Sequence, residues 1–282
     1  MDESKQELTI RRILVALDAS THSLAALEAA ASLAANLHAE LIGLFVEDEN
    51  LLHLAGLPFA QEFSSSSAVR QPMSSEKMER QLRLQASQAR RALQMAADRV
   101  EARWSFRTVR GQVTASVLAA ALEADLLAMG RVSRPLSSRS RLGSTAREAS
   151  KWTRRSVLLM QHGRDLNYPV LVTYDGTPAA RLAMETAVKM AQASGDELNV
   201  LLLAQTRDAA NQLKEDLSAG LEQRDLKVQF HWLPQTTVDN LAKMVQASEN
   251  CVLVLGGENP LLQAEAIQEL LDRTDCPVML VR

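Results

Sequence analysis

The chain is 282 residues long, 46% apolar and 23% charged, with 4% aromatic residues and a formal net charge of −3. That length accommodates two ordinary domains, with cores built from Leu, Ala, Val and Met. The near-neutral balance excludes a dedicated nucleic-acid binder, no apolar run approaches the about 20 residues of a membrane span, and two cysteines, Cys251 and Cys276, exclude a disulfide framework.

The polar opening, M-D-E-S-K-Q-E-L-T-I, does not read as a signal peptide, and the expected location is the cytoplasm. Ile13 to Leu17 reads as a short buried strand, turned by Asp18-Ala19-Ser20. Ser23 to Asn36 has helical spacing, and Leu41 to Val46 is a second strand. A β-α-β opening implies parallel pairing under a helical cover. Residues 47–75 carry Pro58, Pro72 and the run Ser64 to Ser67, and are expected to be one long surface loop. Glu76 to Val100 reads as a long helix with Met78, Leu82, Ala86, Ala89, Leu93 and Ala97 on one stripe. Trp104 to Val109 is a strand, Val113 to Glu123 a helix, and Asp125 to Met129 a fourth strand.

That strand ends at Gly130. A stretch with Arg131, Arg134, Arg139 and Arg141 follows, then Gly143-Ser144-Thr145 opening a helix to Lys151, and a fifth strand from Ser156 to Gln161. Strand, basic loop, glycine, hydroxyls and helix N-terminus form an arrangement suited to phosphate. Glycine lets the backbone approach an anion, and the first-turn N–H groups and the helix dipole favour negative charge. The same stretch also reads as a solvated connection with a serine cap.

The order then repeats. Val170 to Thr173, Glu197 onward, Lys227 to Trp232, Cys251 to Leu255 and Pro277 to Val281 read as strands. Helices at Ala179–Ala193, Asp208–Gln223, Val238–Ala247 and Leu261–Asp272 lie between them. Asp18 to Asp175 and Glu40 to Glu197 are each a step of 157 positions, so strand, turn, helix and strand match without a gap. The expected fold is α/β and Rossmann-like: two tandem doubly wound five-stranded parallel sheets of order 3-2-1-4-5, in domains 1–163 and 164–282. Ligands of such sheets sit where strand order reverses, between strands 1 and 4, which end at Asp18 and Gly130.

With these features in hand, the chain resembles a tandem universal stress protein, of the UspA-like, adenine-nucleotide alpha-hydrolase-like kind. The resemblance covers residues 11–161 and 168–282. It is carried by V-A-L-D-A-S at 15–20, by G-Q-V-T-A-S-V-L-A-A-A-L-E-A-D-L-L-A-M-G at 111–130, and by Gly130-x2-Ser133-x9-Gly143-Ser144. The family's nucleotide-binding pattern has glycine where this chain has Ser133. The resemblance implies that Asp18 lies beside the adenosine part, with Ala16 and Leu17 on the same wall. It implies that Val46 meets the adenine edge, that Met129 and Gly130 approach ribose and phosphates, and that Gly143, Ser144 and Thr145 hold phosphate. By charge, Arg131 and Arg134 are expected to face that phosphate, with solvated loop arginines as the alternative.

The implied ligand is ATP, or AMP or ADP, with Mg2+ accompanying ATP. It would be a regulatory ligand, turned over slowly at most, since no Walker lysine is present. In the second half the step from Gly256 to Val278 is 22 positions against 27 from Gly130 to Val157, and Glu258 and Glu265 replace arginines. That half is expected to be a structural pseudo-dimer partner without nucleotide, strand 5 meeting strand 5 inside the chain, and a homodimer is the further option. A nucleotide-independent interaction module working through residues 47–75 with an unknown protein partner is the second reading. A nucleotide transferase of related fold is the third. No histidine pair has metal-ligand spacing, and Cys251 and Cys276 are expected to be buried structural thiols.

Overall fold

The computed structural model describes residues 10–57, 61–63, 70–72, 74–132, 142–248, 250–257 and 263–282. The N-terminal half runs β1 (Arg12–Leu17), α1 (Thr21–Leu37), β2 (Glu40–Asp48), α2 (Glu49–Ala55), β3 (Gln61–Phe63), β4 (Arg70–Pro72), α3 (Ser75–Arg99), β5 (Trp104–Gly111), α4 (Val113–Ala121), β6 (Leu126–Gly130), α5 (Ser144–Trp152) and β7 (Ser156–Met160). The C-terminal half follows as β8 (Val170–Tyr174), α6 (Pro178–Ala193), β9 (Glu197–Leu203), α7 (Arg207–Leu221), β10 (Lys227–Leu233), α8 (Val238–Ala247), β11 (Val252–Gly256), α9 (Ala264–Arg273) and β12 (Val278–Val281).

In the first half the five strands β1, β2, β5, β6 and β7 are parallel and take the order β5-β2-β1-β6-β7, that is 3-2-1-4-5. The second half repeats the arrangement with β10, β9, β8, β11 and β12. The two sheets are not separate. β7 and β12 pair antiparallel, Val157 opposite Leu280 and Leu159 opposite Val278, so the halves share one ten-stranded sheet. The pairing covers two strand edges that would otherwise offer unpaired N–H and C=O groups. Every residue of β7 and of β12 is buried.

Alternation along the strands separates two cores. Ile13, Val15, Leu41, Leu126, Leu158 and Met279 face the layer of α1, α3, α6 and α7. Leu14, Ile42, Leu127, Val157, Leu159 and Leu280 face the layer of α4, α5, α8 and α9. Local chemistry sets the helix starts: Ser20, Thr177, Thr206 and Thr237 cap α1, α6, α7 and α8 through side-chain oxygens, and Pro178 opens α6.

Residues 47–75 differ from the expected loop. Asp48 accepts the Asn50 N–H at 2.9 Å and starts the seven-residue helix α2, and β3 pairs with β4 as a hairpin. The aspartate cap and the leucines behind it outweigh the prolines as local signals. The serine run 64–67 lies outside the described residues. Among the described residues no helix is long and apolar enough to cross a membrane.

Candidate nucleotide site

β1 and β6 are neighbours, with Ala16 opposite Met129, so their carboxyl ends open onto one mouth. On one side stands the N-terminus of α1, on the other that of α5. The turn after β1 is tightly tied. Asp18 accepts the Ser20 N–H at 3.0 Å, its own N–H reaches Ser23 Oγ at 3.4 Å, and Ser20 caps the helix. Ala19 sits at φ 59, a left-handed conformation that an alanine adopts only when its surroundings force it.

Gly130 is required by close approach. A Cβ there would lie 2.8 Å from the His22 Cβ, 2.9 Å from the His22 carbonyl carbon and 3.0 Å from the Ser23 nitrogen. The end of β6 therefore rests directly on the first turn of α1. Gly256 does the same in the second half, where a Cβ would meet the backbone of Ala179 at 3.0 Å.

The α5 start is open. Gly143 is the N-cap at φ −67 and ψ 159, and no side chain caps the first turn. Its own N–H is committed, donating to the Arg131 carbonyl at 2.7 Å. Ser144 is exposed, and the Thr145 hydroxyl bonds that of Thr114 in the first turn of α4 at 3.0 Å. Ala16, Val46, Val109, Val113 and Met129 gather on the same side of the sheet as α5. They make an apolar wall beside the open helix end.

Two expectations are corrected here. Leu17 does not share the wall of Ala16: strand alternation turns its side chain into the core under α1, leaving only its backbone at the mouth. Arg131 does not face the mouth either. It is 1% exposed, and its guanidinium donates to the carbonyls of Cys276, at 3.1 Å, and Leu271, both in the second half. Leu271 lies in the last turn of α9, where the unpaired carbonyls and the helix dipole favour a cation. Ser133, Arg134, Arg139 and Arg141 lie outside the described residues.

Sequence reasoning missed His22 and Thr114. Nothing in the spacing marks either; both reach the mouth because helices α1 and α4 begin there. His22 Nδ1 accepts the His162 N–H at 3.1 Å, and the two rings meet edge to face with centroids 6.3 Å apart. Burial, then the neighbouring His162, then Arg131 hold the His22 imidazole below its ordinary value, against the opposing pull of Asp18. A base with a depressed folded pKa stabilises the fold fully above the unfolded pKa and loses that contribution as pH falls through the folded value. The expected result is a melting temperature that declines as pH drops below about 6.5, with a smaller decline over that window in His22→Gln. Calorimetry across pH checks it.

A cleft of about 950 Å³ lies elsewhere, between α6 and α7 in the second half. Arg224 at its end is paired with Glu185 at 3.0 Å, and Asp175 is occupied by the N–H and hydroxyl of Thr177. It is away from α9, the helix that corresponds to α5, so it does not reproduce the first-half mouth. α9 has Gln263 as its N-cap residue and Glu265 in its first turn, a carboxylate that complements the helix dipole there and lies 3.7 Å from Lys151 of α5. Asp125 is remote from Asp18, as expected, and its carboxylate holds the N–H groups of Arg11 and Arg12 at 2.9 and 3.0 Å. Cys251 and Cys276 are free and buried, and a hydrogen bond with Cys276 together with burial pushes the Cys251 thiol upward, keeping it un-ionised.

Compared with known proteins, residues 9–160 match the model of the universal stress protein family. No curated protein matches the sequence. Among solved structures, a universal stress protein from Archaeoglobus fulgidus is similar over 98% of this chain and 99% of its own, with TM-score 0.69 and 16% identity. A functionally unknown protein from Pseudomonas aeruginosa is similar over 97% and 93%, with TM-score 0.63 and 13% identity. The cytoplasmic domain of a prokaryotic cation chloride cotransporter is similar over 96% of both chains, with TM-score 0.51 and 13% identity. At such identities the likeness is one of fold.

Proposed function

Because the chain belongs to the universal stress protein family, we propose that its N-terminal half binds an adenine nucleotide, ATP before AMP or ADP, as a regulatory ligand. The observation that carries this is the uncapped first turn of α5 beside Gly130, at the point where strand order reverses. In this reading the amides of Ser144 and Thr145 and the Ser144 hydroxyl hold phosphate. Ala16 and Val46 flank the base, Asp18 lies beside the ribose, and Met129 and Gly130 approach ribose and phosphates. Ser133 and Arg134 belong to the intervening loop. Mg2+ would arrive with ATP, since no group of three metal-ligating side chains stands among the described residues. The domains are taken as 1–163 and 164–282, the second a structural partner without nucleotide, and the protein is placed in the cytoplasm.

Ser144→Pro tests the reading cleanly. Proline suits the first helical position, and Gly143 already has the extended conformation that precedes proline. The substitution removes one N–H and one hydroxyl without disturbing α5. Wild-type protein saturated with ATP is expected to melt about 5 °C higher than unliganded protein. Ser144→Pro is expected to keep the unliganded melting temperature and lose about tenfold in affinity by calorimetry. No shift with ATP, ADP or AMP at saturating levels removes the proposal.

A second reading, a nucleotide-independent interaction module, has one observation in its favour. Leu51, Leu54 and Leu57, in and just after α2, are 37%, 50% and 40% exposed. Partner capture that depends on Leu54 and is indifferent to Ser144 would support it.

A further inference from the structure

The two halves grip each other at matching places through different residues. In β6 the residue after the last strand position is Arg131, and its N–H donates to the Met160 carbonyl of β7 at 2.8 Å. The matching N–H in the second half belongs to Gly257, which donates to the Val281 carbonyl of β12 at 2.7 Å. Arg131 sends its guanidinium across to the carbonyls of Leu271, in the last turn of α9, and Cys276, in the connection from α9 to β12. Gly257 has no side chain, and the stem of Arg282 fills the space a Cβ there would take. Arg282 then donates to the carbonyls of Ser150 and Thr153 at the end of α5. Ser150 and Leu271 each stand two residues before the end of their helices. Each half thus inserts an arginine into the closing carbonyls of the other half's last helix.

The two clamps differ in what they are attached to. Arg282 follows the last strand, and its guanidinium goes to the far end of α5, away from the first turn. Arg131 is itself the base of the loop: its carbonyl accepts the Gly143 N–H at 2.7 Å, pinching the segment between β6 and α5 shut at its root. α5 is further held from the second half, by Asp272 on Arg147 at 2.9 Å and by Gln268 on the Arg147 carbonyl at 3.2 Å.

We propose that Arg131 is a positioning residue for the anion site: the end of α9 holds its guanidinium, and its backbone thereby sets Gly143 and the first-turn amides of α5 where phosphate is received. The inference rests on the nucleotide reading but makes the second half a part of the first half's site. The guanidinium tethered to two carbonyls and the N–H tethered to Met160 at 2.8 Å together limit where the Arg131 backbone can move, and Gly143 is hydrogen-bonded to that backbone. Loosening the anchor lets the pinch relax, so binding at α5 and contact between halves become linked, and linkage is reciprocal.

The test compares wild type, Arg131→Met, Arg131→Lys and Arg282→Met in the full chain. ATP affinity is measured by calorimetry at a temperature where circular dichroism shows each protein folded. Amide hydrogen exchange over residues 143–147 is measured without nucleotide. Arg131→Met is expected to weaken ATP by about tenfold and to speed exchange over 143–147. Arg131→Lys, whose ammonium reaches one carbonyl, recovers part of both. Arg282→Met lowers the melting temperature but leaves ATP affinity within about twofold of wild type.

Unchanged affinity and exchange in folded Arg131→Met overturns the inference, as does an equal loss in Arg282→Met, which would reduce Arg131 to general stability. If Arg131→Met does not fold, Arg131→Lys decides, with wild-type affinity and exchange counting against. Failure of wild type to bind ATP, ADP or AMP removes the nucleotide reading instead. Exchange over 143–147 then still decides whether Arg131 sets that turn.

Discussion

Leu158→Asp is expected to abolish the folded state or to lower the melting temperature by about 10 °C or more. Leu158 lies in β7, is 0% exposed, and stands opposite Met279 of β12 in the middle of the shared sheet. A carboxylate there has no water and no partner, and burying an unpaired charge costs several times what a surface change does, about 4 kcal/mol or more. Since the seam is common to both halves, the loss reaches the second half too. Trp232 in β10 reports on that half by fluorescence once Trp104 and Trp152 are replaced. Leu122→Asp is the control: Leu122 is 61% exposed, and the change is expected to stay within about 0.5 kcal/mol. A Trp232 transition unmoved by Leu158→Asp would mean that the halves fold independently.

Gly130→Val is expected to damage both stability and binding. The new Cβ meets backbone atoms of His22 and Ser23, which cannot swing aside as a flexible side chain would, so α1 must shift. Such overpacking costs about 1–3 kcal/mol. The shift also moves the Asp18–Ser20 turn at the mouth, and nucleotide affinity is expected to fall by more than about tenfold. Gly256→Val makes the matching change against Ala179 in the second half. It should show a similar thermal loss and wild-type nucleotide affinity. If both variants lose affinity alike, the binding defect of Gly130→Val reflects stability and not the mouth.

The sheet and its order were legible in the sequence because they rest on local signals. Short Val and Leu runs, helical spacing and the constant offset of 157 positions suffice to place ten strands in two copies. The meeting of strand 5 with strand 5 was expected from the resemblance to the universal stress protein family alone: the apolar residues of β7 and β12 ask for cover on their faces and do not say which edge pairs with which. Leu17 was misplaced although alternation alone puts it opposite Ala16. Arg131 was illegible for a different reason. Its partners lie 140 and 145 positions away, and no local rule says that a loop arginine prefers distant carbonyls to solvent. The helix and hairpin within 47–75 were hidden by serines and prolines that flank a good aspartate cap.

The seam between β7 and β12 has a consequence for how this chain diverges. Two identical subunits must meet through a patch that complements itself, so any change at the seam is made twice at once. Joining the halves in one polypeptide removes that requirement, because the tether keeps them together at a high effective concentration, of roughly millimolar order for short linkers. One side is then free to anchor itself with Arg131 and the other with Arg282 over a bare glycine. On the proposed reading, the rear copy can then do without ligand chemistry and still keep its grip on the front one.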